Sequence, residues 1–436
     1  MASNDLIERS RRAVWHPCSQ MKIHETQPLL AVSRAQGVWL YDPQGKRYLD
    51  GVSSWWVNLF GHGHPTLVTA LKNQLDTLSH VMLAGCTHEP VVELSERLAA
   101  LTGLGHAFYA SDGASATEIA LKMSAHYWRN HGRPEKCRFV GLQDGYHGET
   151  AGALSVTDIP LFREAYGPLV RVSATVPSPD ARRAAPGVSA LEHARQSAAA
   201  LETWLQQNHH ETAALIVEPL VQCAAGMAVH DPEYLRLVRA LCNRYEVHLV
   251  CDEIAVGFGR TGSLFAHQQA GIVPDFICLS KGLTGGTLAL SAVLCTDAVY
   301  EAFYDDRTAR GFLHSHSYTG NALACRAALA TLDIFGEQDW MAHNRQTADQ
   351  LTTACTPLLN HAALQRWRQI GMIWAFDIDT TDPTFSQRYH RAALAHGLLL
   401  RPIGNTLYFM PPYVMDAEAI DWLARGAVAA LNDTLA

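Results

Sequence analysis

No stretch of this sequence is apolar over the roughly 20 residues that a membrane-spanning helix needs. Its first residues, Met1 to Arg9, lack the apolar centre of a secretory signal, so none is expected. Lysine and arginine total 34 against 42 acidic residues, a formal charge of -8, which gives no support for nucleic-acid binding. The 10 cysteines are scattered and never spaced C-x-x-C, which fits reduced thiols in a cytoplasm better than a disulfide scaffold. No internal repeat and no low-complexity tail is found. Of the 22 histidines, His62 with His64, His209 with His210 and His314 with His316 form close pairs. None has a cysteine or carboxylate at convincing spacing, so turn and surface roles are expected and no metal site.

The 436 residues, 48% of them hydrophobic, are enough for two domains with substantial cores. Val38 to Asp50 reads as a hairpin with its turn at Asp42 to Gly45. From Pro65 onward helices and strands alternate. Glu89 to Leu101 and Ser115 to Asn130 have helical periodicity, and Arg138 to Leu142, Ala214 to Val217, His248 to Cys251 and Asp275 to Leu279 read as buried strands. Apolar rather than alternating strands between helices predict an α/β fold with a mostly parallel sheet covered on both faces. Pro177 to Gly187 reads as a polar, proline-rich surface loop. A large domain is expected over residues 61–325, with residues 1–60 and 326–436 forming one small discontinuous α+β domain.

Two strand ends carry the chemistry. Asp252 and Glu253 close one apolar run, and Lys281, in Ser280-Lys281-Gly282, comes just after another. A lysine amine and an aspartate, each ending its own buried strand, are what pyridoxal phosphate requires. The amine forms a Schiff base with the aldehyde, and the carboxylate keeps the pyridine nitrogen protonated. Ligands bind outside the carboxyl ends of such strands. Asp112-Gly113-Ala114-Ser115 precedes a helix and reads alone as a cap; beside Asp252 and Lys281 it reads as a phosphate cup of backbone amides. Tyr146, between glycines, is either a ring to stack on a cofactor or part of an ordinary turn.

Gly257-Phe258-Gly259-Arg260-Thr261-Gly262 matches G-x-G-x-x-G. The acidic pair precedes the glycines instead of lying about 20 residues beyond them, and Gly271 and Pro274 leave no room for a long helix. The motif is therefore read as a tight loop carrying Arg260 toward the site, against the alternative of a surface charge. His316 to Asn321 is a polar loop that opens a helix. Trp55 and Trp56, as adjacent strand residues, should face opposite ways. Arg401 ends an apolar run, suited to bidentate carboxylate binding or to a snorkelling surface role.

Together these segments resemble the class III (ω-amino acid type) aminotransferases of pyridoxal phosphate fold type I, over nearly the whole chain. Leu249 to Gly262, Pro274-Asp275 and Ser280-Lys281-Gly282 are highly specific for that class. Within it, Val14-Trp15-His16-Pro17, Asp50 to Trp56, His80-Val81-Met82, Gly282 to Thr287 and Tyr408 to Tyr413 resemble the members that transaminate 8-amino-7-oxononanoate in biotin biosynthesis, with S-adenosylmethionine as donor. The resemblance implies that Lys281 is the Schiff-base lysine and proton shuttle, and that Asp252 pairs with the pyridine nitrogen. Tyr146 would stack on the ring, and Gly113 and Ala114 would contact the phosphate. His316 and Ser317 would complete that site from the neighbouring subunit of a homodimer. Gln222 would approach the phenolic oxygen. Trp55, Ser315 and Arg401 would line the oxo-acid pocket, with Trp55 and Arg401 at its opposite ends and Arg401 taking the carboxylate. Tyr408 and Arg260 would sit at the donor end. Four positions depart from the class. Cys18 and Ser19 replace a tyrosine and a threonine after Trp-His-Pro. Ser317 replaces a threonine. Asp112 replaces a serine and is expected to turn away and cap the helix at Ser115 or Ala116.

Overall fold

The structure, a computed structural model, describes residues 2–27 and 29–436. The chain divides into a larger unit, residues 66–342, and a smaller one, residues 1–65 with 343–436.

The larger unit is built on a seven-stranded sheet: β1 His106–Ala110, β2 Arg138–Leu142, β3 Ala174–Val176, β4 Thr212–Val217, β5 His248–Asp252, β6 Phe276–Leu279 and β7 Ser291–Cys295. Its order is β1-β7-β6-β5-β4-β2-β3. Only β7 runs against the others; the β5–β6, β5–β4, β4–β2 and β2–β3 pairs are parallel. Every residue of β4, β5, β6 and β7 is buried, which is why these runs read as continuously apolar. The helix Gly113–Asn130 covers one face, with Ala116, Ile119, Ala120 and Met123 in one core cluster with Ala214, Ile216, Val250 and Phe276. Each large aliphatic side chain buried there contributes about 1.5–3 kcal/mol. Asp112 caps this helix, its Oδ1 accepting from the Ser115 amide at 2.9 Å and its Oδ2 from the Ser115 hydroxyl at 2.8 Å, as the sequence suggested.

The 177–187 segment departs from expectation. Ser178, Pro179 and Asp180 are buried, and Arg182 and Asp180 pair at 2.8 Å. The loop turns inward because the Ser178 hydroxyl has an acceptor there, Gln222 Oε1.

The smaller unit carries a sheet of Arg34–Gln36, Trp39–Tyr41, Arg47–Asp50 and Leu398–Leu399, and another of Leu364–Ile370, Ile373–Ile378 and Thr406–Phe409. The hairpin forms as read: Tyr41 pairs with Arg47, and Asp42 Oδ1 accepts from the amides of Gln44 and Lys46, both at 2.9 Å. Trp55 and Trp56 are not in a strand. Ser53, Ser54, Trp55 and Trp56 have φ of 50°, 47°, 73° and 73°, a left-handed turn that costs L-residues roughly 1–2 kcal/mol each. Trp56 is buried and Trp55 exposed. All ten cysteines are free. Among the described residues no helix is long and apolar enough to cross a membrane.

Candidate functional site

The parallel strands of the larger unit deliver their chemistry at one end. Asp252 is the last residue of β5, in register with Cys278 of β6, and Lys281 lies two residues beyond that strand. Tyr146 and His147 come after β2, Glu218 after β4, and Asp112 after β1. Strand order and register alone therefore gather these groups at one edge of the sheet.

Asp252 is buried and doubly held. Its Oδ2 lies 2.7 Å from Nδ1 of His147, and its Oδ1 accepts from the Ile254 amide at 3.1 Å. Glu218, also buried, accepts from the Tyr146 amide at 3.1 Å and from the Cys223 amide at 3.0 Å. Burial, reinforced by Asp252, pushes its carboxyl up to about 7, against the opposing pull of His147 and the two amides. Loss of water lowers the Lys281 ammonium from its ordinary value, while Asp252, Cys223 and Glu218 resist. Lys281 itself has φ of 45°, and Asp144, Leu220 and Phe258, close in sequence to the site residues, also have positive φ. Backbone strain of this kind is held in place only where the surroundings over-determine it.

The start of the helix Gly113–Asn130 lies against the same cluster. A Cβ on Gly113 would come within 2.9 Å of the Ile254 side chain, two residues past Asp252. Gly148 has φ of +119°, and a Cβ there would meet that of Ala114 at 2.4 Å. Glu118 ties helix to loop by accepting from the Thr150 hydroxyl and the Gly152 amide, each at 2.7 Å. The Gln222 side chain is fixed at both ends: Oε1 accepts from Ser178, and Nε2 donates to the Gln143 carbonyl at 2.9 Å. The Tyr146 hydroxyl donates to Glu149 at 2.9 Å, and its ring lies 5.5 Å from that of Phe162.

The Gly257–Gly262 segment is a turn, with Gly259 bonding to Leu264 and Gly262 to Gly259. Buried Glu253 fastens the segment beyond it, accepting from the Ala266 amide at 2.9 Å and from the His267 amide and ring, both at 2.8 Å. Arg260 is buried, so it is no surface charge, and it is among the charges that lower the Cys223 thiol against the dominant upward push of burial. His316 and Ser317 are not joined to the strand-end cluster by their hydrogen bonds. The His316 ring accepts from the Tyr318 amide at 3.2 Å, and the Ser317 carbonyl bonds to His80 at 2.7 Å; Ser315 and Ser317 are exposed.

A second group lies in the smaller unit. The Arg401 guanidinium stands 5.6 Å from the Trp55 ring centroid. The two are therefore neighbours, not opposite ends of a pocket. Tyr408 is buried and accepts from Trp56 Nε1 at 3.1 Å.

Sequence reasoning missed the parts played by His147, Glu218 and Ser178, and it gave Glu253 no role apart from Asp252. Glu218 ends an apolar run just as Asp252 does, so the same rule would have found it. His147 adjoins Tyr146, but nothing local marks it as the partner of a residue 105 positions away. Ser178 was hidden in a loop read as surface.

A pyridoxal phosphate molecule fits this donor set. A carboxyl group held by a buried histidine suits a protonated pyridine nitrogen, a desolvated amine suits an aldehyde, and the opening turn of an 18-residue helix suits a phosphate.

A family profile described as aminotransferase class-III matches residues 21–431. The adenosylmethionine-8-amino-7-oxononanoate aminotransferase of Helicobacter pylori is 43% identical over 429 residues, 96% of each chain. The solved structure of the enzyme of the same name from Methanocaldococcus jannaschii superposes with a TM-score of 0.92 at 31% identity, covering 99% of both chains. An amine transaminase from an uncultivated Pseudomonas species, solved with pyridoxal phosphate bound, has a TM-score of 0.91 at 30% identity, covering 96% of this chain and 98% of that one.

Proposed function

This chain belongs to the class III aminotransferases, pyridoxal-phosphate-dependent enzymes, and from that premise we propose that it aminates 8-amino-7-oxononanoate to 7,8-diaminononanoate with S-adenosylmethionine as donor, a step of biotin biosynthesis. The observation that carries the chemistry is that Asp252 ends β5 and Lys281 follows, two residues on, the end of the adjacent parallel strand β6. The 43% identity to a relative of that name favours the substrate.

Bound pyridoxal phosphate supplies an electrophilic carbon for the amine and an electron sink when the substrate Cα is deprotonated. In this reading Asp252 holds a proton at the pyridine nitrogen, and His147 fixes that carboxylate. Lys281 Nζ would be the group that holds the aldehyde carbon, and as a free amine it would carry the proton to and from the substrate Cα. Its lowered proton affinity raises the fraction of free amine available for both tasks. Gly113 and Ala114 would offer amides to the phosphate, Tyr146 would stack on the ring, and Gln222, already fixed by Ser178 and Gln143, would approach the phenolic oxygen. Arg401 takes the acceptor's carboxylate, with Trp55 and Ser315 beside its chain. Tyr408 and Arg260 serve the donor. The enzyme acts as a cytoplasmic homodimer, His316 and Ser317 being lent to the neighbouring subunit's phosphate.

Cys18, exposed and with φ of 49°, stands where a phenol is usual. The missing phenol would contact the keto acid, so Cys18 favours a second reading in which the acceptor is another ω-amino compound; lysine is the alternative donor.

The test is a visible absorbance spectrum of the purified enzyme before and after S-adenosylmethionine, with lysine in a parallel sample. Bleaching of the cofactor band by S-adenosylmethionine is expected. Bleaching by lysine alone changes the donor, and no band after added pyridoxal phosphate refutes the reading.

A further inference from the structure

Asp50 is a fully buried carboxyl residue at the end of a strand. Its partners account for it. Oδ1 accepts from the Ser54 amide at 2.8 Å, and Oδ2 accepts from the Ser54 hydroxyl at 2.7 Å and lies 3.0 Å from His62 Nε2. The chain that Asp50 grips is the run Ser53 to Trp56, four consecutive non-glycine residues with positive φ. Such a run is unfavourable for side chains with a Cβ and persists only when bonded from outside. Two further bonds secure it: the Ser53 hydroxyl donates to the Met410 carbonyl at 2.7 Å, and Trp56 Nε1 donates to Tyr408 at 3.1 Å.

The strand register adds the second observation. Asp50 is paired, in parallel, with Leu399, two residues before Arg401. The end of one strand thus leads to Trp55 and the end of its neighbour leads to Arg401. The Arg401 guanidinium then lies over the Trp55 ring only if the left-handed turn brings that ring back toward the strand pair. An extended continuation from Asp50 would carry Trp55 away along the strand direction.

We propose that Asp50 is a positioning residue for the acceptor end of the reaction: by clamping the Ser53–Trp56 turn, it sets the Trp55 face on which the Arg401 guanidinium is held to receive a carboxylate. The inference rests on the reading of Trp55 and Arg401 as acceptor-binding residues. Asp50 touches neither substrate nor cofactor in this scheme; it acts through Ser54.

The test uses the pyridoxal-phosphate-loaded enzyme, 8-amino-7-oxononanoate as acceptor, and the donor that bleaches the cofactor band. Asp50→Ala is expected to raise the acceptor KM about tenfold or more while the donor half-reaction stays within about twofold. Adding Ser54→Gly, which removes the steric objection to positive φ, is expected to recover most of that loss. A merely structural role would lower the melting temperature and the active fraction while leaving the acceptor KM of the folded enzyme unchanged. An unchanged acceptor KM, or equal loss in both half-reactions, overturns the proposal. Should Asp50→Ala fail to fold, Ser54→Ala removes one hydroxyl bond to the same carboxylate and is read by the same criteria, with a KM rise of roughly threefold. Arg401→Ala separates the two levels. If it leaves the acceptor KM unchanged, the pocket reading itself is wrong; if it raises KM and Asp50→Ala does not, only the positioning role falls.

Discussion

Nδ1 of His147 lies 2.7 Å from Oδ2 of Asp252, both side chains buried, so the carboxylate that ends β5 is gripped by the loop after β2. A hydrogen bond to a charged group is worth about 1.5–3 kcal/mol. Removing it in His147→Ala is expected to weaken pyridoxal phosphate binding by roughly 10–100-fold. Titration of the apoenzyme with the cofactor, tracked by absorbance, measures this directly. Wild-type affinity in a variant with an unchanged melting temperature would mean that Asp252 needs no such support.

Lys281→Ala should leave a folded protein that still binds the cofactor non-covalently and should abolish turnover. Loss of an acid–base group alone removes roughly 10²–10⁴-fold, and loss of the covalent attachment adds to it. Single-turnover and multiple-turnover assays distinguish slow chemistry from none. Sustained multiple turnover would refute the role given to this lysine.

The backbone of this site was legible because strand-end logic needs only local apolar runs. Asp252 and Lys281 can be paired from sequence alone, since a parallel α/β sheet sends all such ends to one side. The G-x-G-x-x-G segment was separable from a dinucleotide loop by Gly271 and Pro274 downstream of it, and in the structure its turn is followed only by a short 3-10 helix, Ala266–Ala270, whose start Glu253 holds. The illegible features were long-range or conformational. His147 meets Asp252 only through the sheet order. Trp55 and Trp56 come after two serines in a pattern that gives no warning of four positive φ values, because no glycine marks them. The Trp55–Arg401 contact spans strands far apart in sequence and reverses the expected placement.

Gly148 gives a steric prediction with an internal control. Alanine there would meet positive φ and an Ala114 Cβ at 2.4 Å, on the turn that faces the proposed phosphate amides. Gly132 also has positive φ, 74°, but nothing lies within 4 Å of a Cβ placed on it. Gly132→Ala should therefore cost only about 1 kcal/mol of backbone strain. Gly148→Ala should cost about 1–3 kcal/mol more, because the helix start must move. Urea unfolding midpoints compare the two, and only Gly148→Ala is expected to weaken pyridoxal phosphate binding as well. Equal costs would show that the contact with Ala114 relaxes freely.

His248, the first residue of β5, should make the fold acid-sensitive. Its ring is buried against Trp128, 4.9 Å away, and Nδ1 pairs with the Ser124 hydroxyl at 2.9 Å. Burial pushes the imidazole down to about 4; Arg239, Lys136 and His131 act in the same direction and Asp275 opposes. The folded state therefore keeps the ring neutral while the unfolded chain takes a proton near 6.5. Between these values the unfolded state binds more protons, so stability is complete above about 6.5 and falls as pH drops toward 4. The full displacement corresponds to roughly 3 kcal/mol, of which about 2 kcal/mol should be lost by about pH 5. His248→Gln cannot titrate and retains an amide for Ser124. It should be less stable than wild type at about pH 7, with the gap narrowing by about 2 kcal/mol at about pH 5. Denaturant unfolding at the two pH values provides the comparison. Parallel losses in wild type and variant would place the acid sensitivity on other groups.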